Sequence, residues 1–495
     1  MARVRRLGLP AVLCLLAGLA ASPAAAKDIV APARGGVVVG TNKADRITAS
    51  GGGVHTIRCK AGRDIVTADP GDTVASDCEV VSLQVSRDPY RNASSQHQTQ
   101  VEPDSFGFGS TEVTTFQSGR FVDGGASNIG WATTTDAGLT WKSGFLPGLT
   151  MFGAPPGFYP RASDPVVTYD ARHGVWMIVS LAFSPTADAF LVSRSADGRG
   201  WDMPVTAWES DHDLDFDKPW ISCDNWQASP YFGNCYLTWA DFGTGELVTQ
   251  TSRDGGLTWS APVPSPAFGN DSFNGMQPVV LPNGTLVNLF SGRTTLAETI
   301  STDGGTTFTS AITIVPQDFL DVPRIRSSPF PSVEADAAGR IYAAWNDCGK
   351  RRSCNGDDVV FISSADGRVW TKPRRVPTGG TEPGHTYFMA GLGADPARAG
   401  HIGVVYYVMR ACNCSIGAAY IGSNDGGATW GKAQRLDSRP LKPSWIARTT
   451  LGLMLGDYIS LSFVNGKPMP VFVLASPPAG KSLRETTFVT VRGIG

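Results

Sequence analysis

Short apolar segments separated by polar turns recur along most of the chain. Clear examples of the apolar segments are residues 175–179, 236–239, 341–345 and 404–408. They are rich in β-branched and aromatic residues, which fit the pleated, half-buried surface of a strand. The turns between them place Asp or Asn beside Gly, and no long stretch has helical periodicity. The pattern therefore predicts an all-β chain.

An eight-residue motif of the form Ser-x-Asp-x-Gly-x-Thr-Trp punctuates this pattern. Near-complete copies occupy residues 134–141, 252–259, 301–308 and 423–430, and copies one residue shorter occupy 195–201 and 364–370. Their aspartates are Asp136, Asp197, Asp254, Asp303, Asp366 and Asp425. These aspartates are 49 to 63 residues apart, a spacing that indicates an array of similar supersecondary units.

Each copy of the motif carries the residues of a tight turn. Asp accepts hydrogen bonds from nearby backbone N–H groups, and Gly adopts positive φ without steric cost. The terminal Trp or Phe provides an aromatic anchor. Because a turn motif that repeats six times belongs to the scaffold, we expect the motif to fold the chain rather than to contact a ligand.

The motif resembles the Asp-box, or BNR, repeat of sialidases and related β-propellers, and the resemblance covers about residues 98–495. The chain is also similar to secreted bacterial proteins described as sialidase-like. That similarity is carried by residues 217–220 (DKPW), 347–360 (DCGKRRSCNGDDVV) and 456–463 (GDYISLSF). The resemblance implies a sialidase-superfamily β-propeller with four-stranded antiparallel blades. It does not establish hydrolysis, because one fold hosts many functions.

The number of blades depends on which feature is counted. Candidate first strands occur near residues 99–103, 165–169, 219–223, 277–281, 331–335, 388–393 and 458–463. The last unit has three predicted strands and no motif, and a strand at residues 80–85 is placed to supply its fourth. We therefore prefer seven blades, with six, as in sialidases, as the alternative.

The chain divides into four predicted parts. Residues 1–26 have the basic start, apolar run and small-residue cleavage site of a secretory signal peptide. Residues 27–86 form a small β-roll-like module, 87–98 a polar linker and 99–495 the propeller. We therefore expect a protein that is secreted, at the cell surface or extracellular. No second apolar run is long enough to span a membrane.

The N-terminal module echoes the Gly-x-Asp-x-aliphatic rhythm of calcium-binding β-rolls, as in Gly62-Arg63-Asp64-Ile65-Val66. Its glycines are too sparse for stacked calcium turns, so we favour a degenerate roll without metal, and no cofactor is expected elsewhere.

Once Cys14 of the signal peptide is set aside, eight cysteines remain, an even number that suggests disulfide bonds in an exported chain. The expected pairs are Cys59–Cys78, Cys223–Cys235 and Cys348–Cys354. Cys412 and Cys414 either pair with each other or cross-link to Cys348 and Cys354.

Charge limits the partners. The formal net charge of -2 gives no electrostatic basis for binding nucleic acid or an anionic membrane. A glycan or an extracellular protein is the expected partner, and a monomer is the expected state.

The blade pattern separates two faces. The motif joins strands three and four, so it shares a face with the turn between strands one and two. The opposite face carries the segments that enter strand one and the loops that leave strand two. Three arginines, Arg120, Arg293 and Arg410, end second strands there. We expect them to converge near the central opening and to bind substrate together with Asp457.

The family resemblance adds expected roles. Sialidases hold the sugar carboxylate with three arginines and use a Tyr nucleophile paired with a Glu, together with an Asp acid/base. The matching candidates are Tyr458, Asp164 and Asp217. The Tyr/Phe-Arg-Ile-Pro segment of sialidases is missing, and no Glu partner for Tyr458 is evident. The expected function is glycan recognition, with an exo-α-sialidase-type glycoside hydrolase as its catalytic form. The alternative is a non-catalytic propeller that binds glycan or protein, so whether the chain is an enzyme stays open.

Overall fold

The computed structural model describes residues 25–210, 216–266, 273–380, 385–410 and 414–495. The predicted signal peptide therefore lies almost wholly outside the described residues. The described chain is all-β, as predicted, with a single short 3-10 helix at Pro443–Trp445. No helix among these residues is long and apolar enough to cross a membrane.

The N-terminal module is a stack of short parallel strands. Its strands are β1 (Asp28–Val30), β2 (Gly36–Val39), β3 (Arg46–Thr48), β4 (His55–Arg58), β5 (Ile65–Ala68), β6 (Thr73–Val74) and β7 (Val80–Gln84). Strands β1, β3, β5 and β7 pair in parallel, and β2, β4 and β6 form a second parallel sheet. This arrangement is a short solenoid, in which each coil adds one strand to each sheet.

After the solenoid, the described chain forms antiparallel strand sets, here named A to G. Set A consists of β8 (Gln100–Phe108), β9 (Thr111–Arg120), β10 (Ala126–Thr134) and β11 (Lys142–Phe145). Set B consists of β12 (Arg161–Asp170), β13 (Val175–Ser184), β14 (Ala187–Ser195) and β15 (Val205–Ser210). Set C consists of β16 (Phe216–Cys223), β17 (Cys235–Asp241), β18 (Glu246–Ser252) and β19 (Val263–Pro266). Set D consists of β20 (Asn274–Val280), β21 (Leu286–Ser291), β22 (Thr295–Ser301) and β23 (Ile312–Pro316).

Set E consists of β24 (Ser332–Ala335), β25 (Ile341–Asp347), β26 (Asp358–Ser364) and β27 (Arg374–Arg375). Set F consists of β28 (His385–Ala394), β29 (Ile402–Arg410), β30 (Ser415–Ser423) and β31 (Gln434–Arg435). A two-stranded hairpin of β32 (Arg448–Thr449) and β33 (Gly452–Leu453) follows. Set G is β34 (Ser460–Val464), β35 (Lys467–Ala475) and β36 (Glu485–Arg492), and β7 is its fourth strand.

The first strands of the sets form a closed ring. Each first strand packs against the first strand of the next set, from β8 through β12, β16, β20, β24 and β28 to β34, and β34 packs against β8. One residue pair, Ala126 with Ala162, also joins sets A and B. Second strands lie between neighbouring sheets, so they are buried on both faces. All seven residues of β25, for example, are buried, which explains the apolar runs seen in the sequence.

The ring is closed by strand β7, from the N-terminal module. Its residue Leu83 pairs with Val489 of β36 in antiparallel register, which confirms that a strand near residues 80–85 completes the last unit. The solenoid also docks on set F, where the hydroxyls of Thr48 and Thr67 each lie 2.7 Å from that of Ser438. The N-terminal module and the C-terminal strand β36 therefore share one sheet.

The described residues contain three disulfide bonds, and they are the expected local pairs Cys59–Cys78, Cys223–Cys235 and Cys348–Cys354. The Cys348–Cys354 bond excludes the alternative cross-link to Cys412 and Cys414. Cys412 lies outside the described residues, so the last expected pair is untested.

The six motif copies occupy the turns between third and fourth strands. At Asp425, the carboxylate accepts bonds from the Thr429 amide at 2.8 Å and from the hydroxyl of Ser423 at 2.8 Å. The Ser423 hydroxyl in turn accepts from the Gly427 amide at 2.9 Å. The pKa of Asp425 is held below its usual value by hydrogen bonds from the Thr429 hydroxyl and amide and from the Ser423 hydroxyl. The motif thus closes a turn, as expected.

Candidate functional site

Five of the first strands carry a bulge at the same level of the ring. In each, the strand register shifts and one residue takes a left-handed backbone conformation. These residues and their φ angles are Glu102 (58°), Asp164 (48°), Lys218 (51°), Gly275 (69°) and Met389 (53°). Bulges re-aim side chains, and a non-glycine residue held at positive φ costs about 1–3 kcal/mol. The side chains of Glu102, Asp164 and Lys218 meet within the ring.

These three residues, with Asp457 and Arg326, form the central ion cluster. The Lys218 ammonium lies 2.9 Å from Glu102 Oε1 and 2.7 Å from Asp457 Oδ2, and it also contacts Asp164. Arg326 donates from Nε to Asp457 Oδ1 at 2.8 Å. The cluster joins first strands of sets A, B and C to the segment before β34. Lys218 is therefore the point at which four parts of the ring meet.

Burial and charge set the protonation of the central ion cluster. Burial raises the pKa of Glu102 to about 7 despite the nearby Lys218. Burial also acts to raise the pKa of Asp457, but Lys218 and Arg326 outweigh it and hold that pKa well below its usual value. The carboxylates of Glu102, Asp164 and Asp457 converge closely enough to ligate a cation. The Lys218 ammonium already contacts all three, so the protein supplies its own cation.

Tyr458 and Asp217, two of the predicted catalytic residues, lie beside the cluster. The Tyr458 hydroxyl donates to the carbonyl of Pro165 at 3.0 Å, and its ring meets Trp220 edge-on at 5.1 Å. Burial raises the pKa of Tyr458 well above its usual value. The Asp217 carboxylate accepts from the Lys218 amide and from Asn274 Nδ2, both at 2.9 Å.

The cluster has little open space. A void lined by Lys218, Asp457 and Tyr458 has a volume of ≈ 10 Å³, about the room needed by one water molecule. Asp164, the third predicted catalytic residue, has its carboxylate on Lys218. The three predicted catalytic residues are thus close together, and their polar groups bind other parts of the protein. Their chemical roles stay predictions.

The three predicted arginines lie in three different surroundings. Arg120 is buried and donates from Nη1 to Gln117 Oε1 at 3.1 Å and to the Gly125 carbonyl at 2.7 Å. Arg293 is exposed and lines a cavity beside set D. Arg410 is exposed and lines another cavity, on set F. The expected convergence of all three at one ligand is thus not evident in the structure, and their binding roles stay predictions.

The cavity at Arg293, here named the opening cavity, lies on the face opposite the motifs. Its volume is ≈ 490 Å³, within the range of small-molecule sites. It is lined by Phe242, Phe273, Asn274, Ser291, Gly292, Arg293, Phe319, Asp321, Ser327, Ser328, Pro329 and Phe330. The segment that follows β23 forms one wall, and Ser291 fixes it by donating to the Pro329 carbonyl at 2.9 Å.

Aromatic rings and a few polar groups make up the opening cavity. Phe242 is 46% exposed and Phe319 36% exposed, so both rings can take part in a contact. The Arg293 guanidinium and the Asp321 carboxylate are the charged groups of its lining. Asn274 connects the cavity to the cluster by its bond to Asp217. Ligand sites typically combine apolar walls with few, well-placed polar groups.

Sequence reasoning named Arg293 but missed the phenylalanines and the central part played by Lys218. The phenylalanines come from separate loops, which no local pattern connects. A signal for Lys218 does exist, because each of the three bulge residues Glu102, Asp164 and Lys218 is followed by proline. A Pro cannot donate a ladder hydrogen bond, so it suits a bulge.

No protein-family model matches the sequence, and no curated protein is significantly similar to it. Solved structures to which the chain shows similarity include a polysaccharide lyase of family PL25, an ulvan lyase, with a TM-score of 0.48 and 12% identity over 82% of this chain and 97% of that one. An intramolecular trans-sialidase of Ruminococcus gnavus has a TM-score of 0.45 and 13% identity, covering 65% and 93%. An α-L-arabinofuranosidase of Fusarium graminearum has a TM-score of 0.43 and 14% identity, covering 83% and 96%. These identities are too low to transfer an activity.

Proposed function

We propose that the chain is a seven-bladed β-propeller that binds a carboxylate-bearing glycan in the opening cavity without cleaving it. The blade count rests on the strand sets A to G and on the packing of β34 against β8. One observation carries the binding proposal: a single cavity holds an exposed guanidinium and exposed phenyl rings on the face opposite the turn motifs.

The chemistry of the cavity fits an acidic sugar. A guanidinium binds a carboxylate through two parallel hydrogen bonds and stays charged at every physiological pH. Arg293 is exposed and is the cation of the cavity lining. The apolar ring faces of Phe242 and Phe319 suit the C–H face of a sugar, and Asp321 and Asn274 suit its hydroxyls.

The proposal that the glycan is bound intact rests on the central ion cluster. A nucleophilic tyrosine needs a base at its hydroxyl, whereas the Tyr458 hydroxyl donates to a backbone carbonyl. A general acid needs access to the leaving group, whereas Asp164 is buried against Lys218.

Three disulfide bonds support a location outside the cytoplasm.

An exo-α-sialidase-type hydrolase is the second candidate. The observation in its favour is that Tyr458, Asp164 and Asp217 share one neighbourhood around Lys218, as the resemblance implies. Release of fluorophore from a fluorogenic sialoside, lost in a Tyr458→Phe variant, would establish this candidate over the first.

A glycan array distinguishes the binding proposal from its failure. The wild-type protein is expected to retain acidic glycans, and Arg293→Ala is expected to lose them. Arg253→Ala is the matched control, because Arg253 is also exposed but lies in a turn motif on the opposite face. Retention of no glycan by the wild-type protein, or equal retention by Arg293→Ala, would contradict the proposal.

A further inference from the structure

A second cavity lies at the other end of the ring, on the face of the turn motifs. Its volume is ≈ 290 Å³, near the small end of ligand sites. Its walls come from the far ends of first strands in six of the sets, A, C, D, E, F and G. It therefore exists only once the ring is closed. We name it the motif-face cavity.

Four aromatic residues line the motif-face cavity: Phe106, Phe108, Trp226 and Phe463. Trp226 is held in place, because its indole Nε1 donates to the Val280 carbonyl at 2.7 Å. Phe108 is 43% exposed, and its ring lies 4.3 Å from that of Tyr169. The rings belong to sets A and G and to the turn after β16, so they surround the cavity from several sides.

One carboxyl group faces these rings. Glu334, on β24, is the titratable residue among the cavity lining. Burial, with a smaller contribution from the Asp104 carboxylate on β8, raises its pKa to about 8. Burial likewise raises the pKa of Asp104 to about 7. A cation in this cavity would therefore meet the Glu334 carboxyl group, and the lining holds no basic residue beside it.

We propose that the motif-face cavity binds a small alkylammonium ion, with the cation against the aromatic rings and beside the Glu334 carboxylate. Aromatic faces attract alkylammonium groups through the ring quadrupole, most strongly when water is displaced. A carboxylate at the same place supplies the counter-charge. The cavity volume suits a head group rather than a long chain. The site is independent of the opening cavity, so either proposal can fail alone.

Binding of the cation and protonation of Glu334 are mutually exclusive. The cation stabilises the ionised carboxylate, so binding releases a proton and strengthens as pH rises through about 8. Asp104, on β8 of set A and outside the cavity lining, adds to the rise in the pKa of Glu334, and burial raises its own pKa to about 7. The other residues that line the cavity do not titrate, so Glu334 dominates the pH dependence.

The test uses two probes of the same shape, choline and its uncharged isostere 3,3-dimethyl-1-butanol. Calorimetry reports binding to the full-length protein, and the loss of the fluorescence change in a Trp226→Phe variant assigns that change to the cavity. At about pH 9, choline is expected to bind about tenfold more tightly than the isostere. Choline is expected to bind about tenfold more weakly at about pH 6.5 than at about pH 9. Equal binding of both probes, or no binding of choline, would overturn the proposal.

Three variants complete the test. Glu334→Gln keeps the side-chain shape and is expected to weaken choline binding about tenfold at about pH 9 and to abolish its pH dependence. Phe108→Ala, at a half-exposed ring, is expected to weaken it severalfold. Glu246→Gln, a glutamate of β18 outside the cavity, is the control and is expected to bind as the wild type does. Unchanged binding in Glu334→Gln would contradict the proposal.

Discussion

The Lys218 ammonium lies 2.7 Å from Asp457 Oδ2 and so ties the first strand of set C to the segment that enters set G. The same ammonium contacts Glu102 of set A. A single lysine thus bridges strands that are far apart in the sequence. Its three carboxylate partners are buried and depend on it for their counter-charge.

Replacing Lys218 by Met is expected to destabilise the protein strongly. The change leaves the carboxylates of Glu102, Asp164 and Asp457 buried with only Arg326 to compensate them. Breaking a buried ion pair in this way costs about 3–5 kcal/mol of unfolding free energy, measurable by urea denaturation. Lys432→Met, at an exposed lysine, is the control. A loss below about 1 kcal/mol for Lys218→Met would contradict the structural role of the cluster.

Glu298 is expected to make stability fall as pH rises. Burial raises its pKa from the usual 4.5 to about 7, although Trp370 donates to it at 3.1 Å. The folded state therefore binds the extra proton. Protonated Glu298 makes its full contribution to the unfolding free energy below about pH 4.5. This contribution, up to about 3 kcal/mol, is lost as pH rises through about 7.

Glu298→Gln checks this prediction, because an amide oxygen can still accept the Trp370 bond. The variant is expected to remove Glu298's share of the pH dependence. Urea unfolding of both proteins at about pH 5 and about pH 8 measures it. The same change in unfolding free energy for both proteins would show that Glu298 does not titrate as described.

Removing the Cys59–Cys78 bond is expected to loosen the ring closure. The bond joins residues 19 apart in the solenoid, directly before β7. Loss of the cross-link costs about 3 kcal/mol in the chain-entropy account, and loss of Cys348–Cys354, 6 residues apart, about 1 kcal/mol less. Hydrogen exchange is expected to speed up in β7 and β36 when the first bond is replaced by alanines. Unchanged exchange there would contradict a closing role for the solenoid.

The turn motifs are expected to support stability and not ligand binding. Asp254 accepts from the Thr258 amide at 2.9 Å and the Thr258 hydroxyl at 2.6 Å. Asp254→Ala is expected to cost about 1–2 kcal/mol of unfolding free energy. Asp202→Ala, at an exposed aspartate outside the motifs, is the control. Loss of glycan binding by a folded Asp254→Ala protein would place the motif in the site.

Local patterns predicted much of the fold because its units are local. The Asp-box turns need only nearby hydrogen bonds, as at Asp425, and the alternation of apolar strands and turns located the first strands. The fourth strand of set G was predictable only by counting, since β7 lies far from β36 in the sequence. That pairing is confirmed by the register of Leu83 with Val489.

The site was less predictable because it depends on contacts across the ring. Tyr458 and Asp164 both lie near Lys218, but the position of each side chain depends on strand bulges and on contacts with Lys218, which the alternation of apolar and polar residues does not encode. Arg120 and Arg410 end the second strands β9 and β29, as expected, whereas Arg293 lies beyond the end of β21 at Ser291. Arg120 is buried and the other two are exposed, so similar positions in the strand pattern did not give similar environments.

In the proposed complex, Arg293 holds the carboxylate of a glycan in the opening cavity. Calorimetric titration measures this contact, using the glycan selected on the array and the methyl ester of its carboxylate. The wild-type protein is expected to bind the acid at least about tenfold more tightly than the ester and to return it uncleaved. Arg293→Ala is expected to bind both weakly and equally. An Arg293→Ala protein that still prefers the acid as strongly as the wild type does would contradict the account.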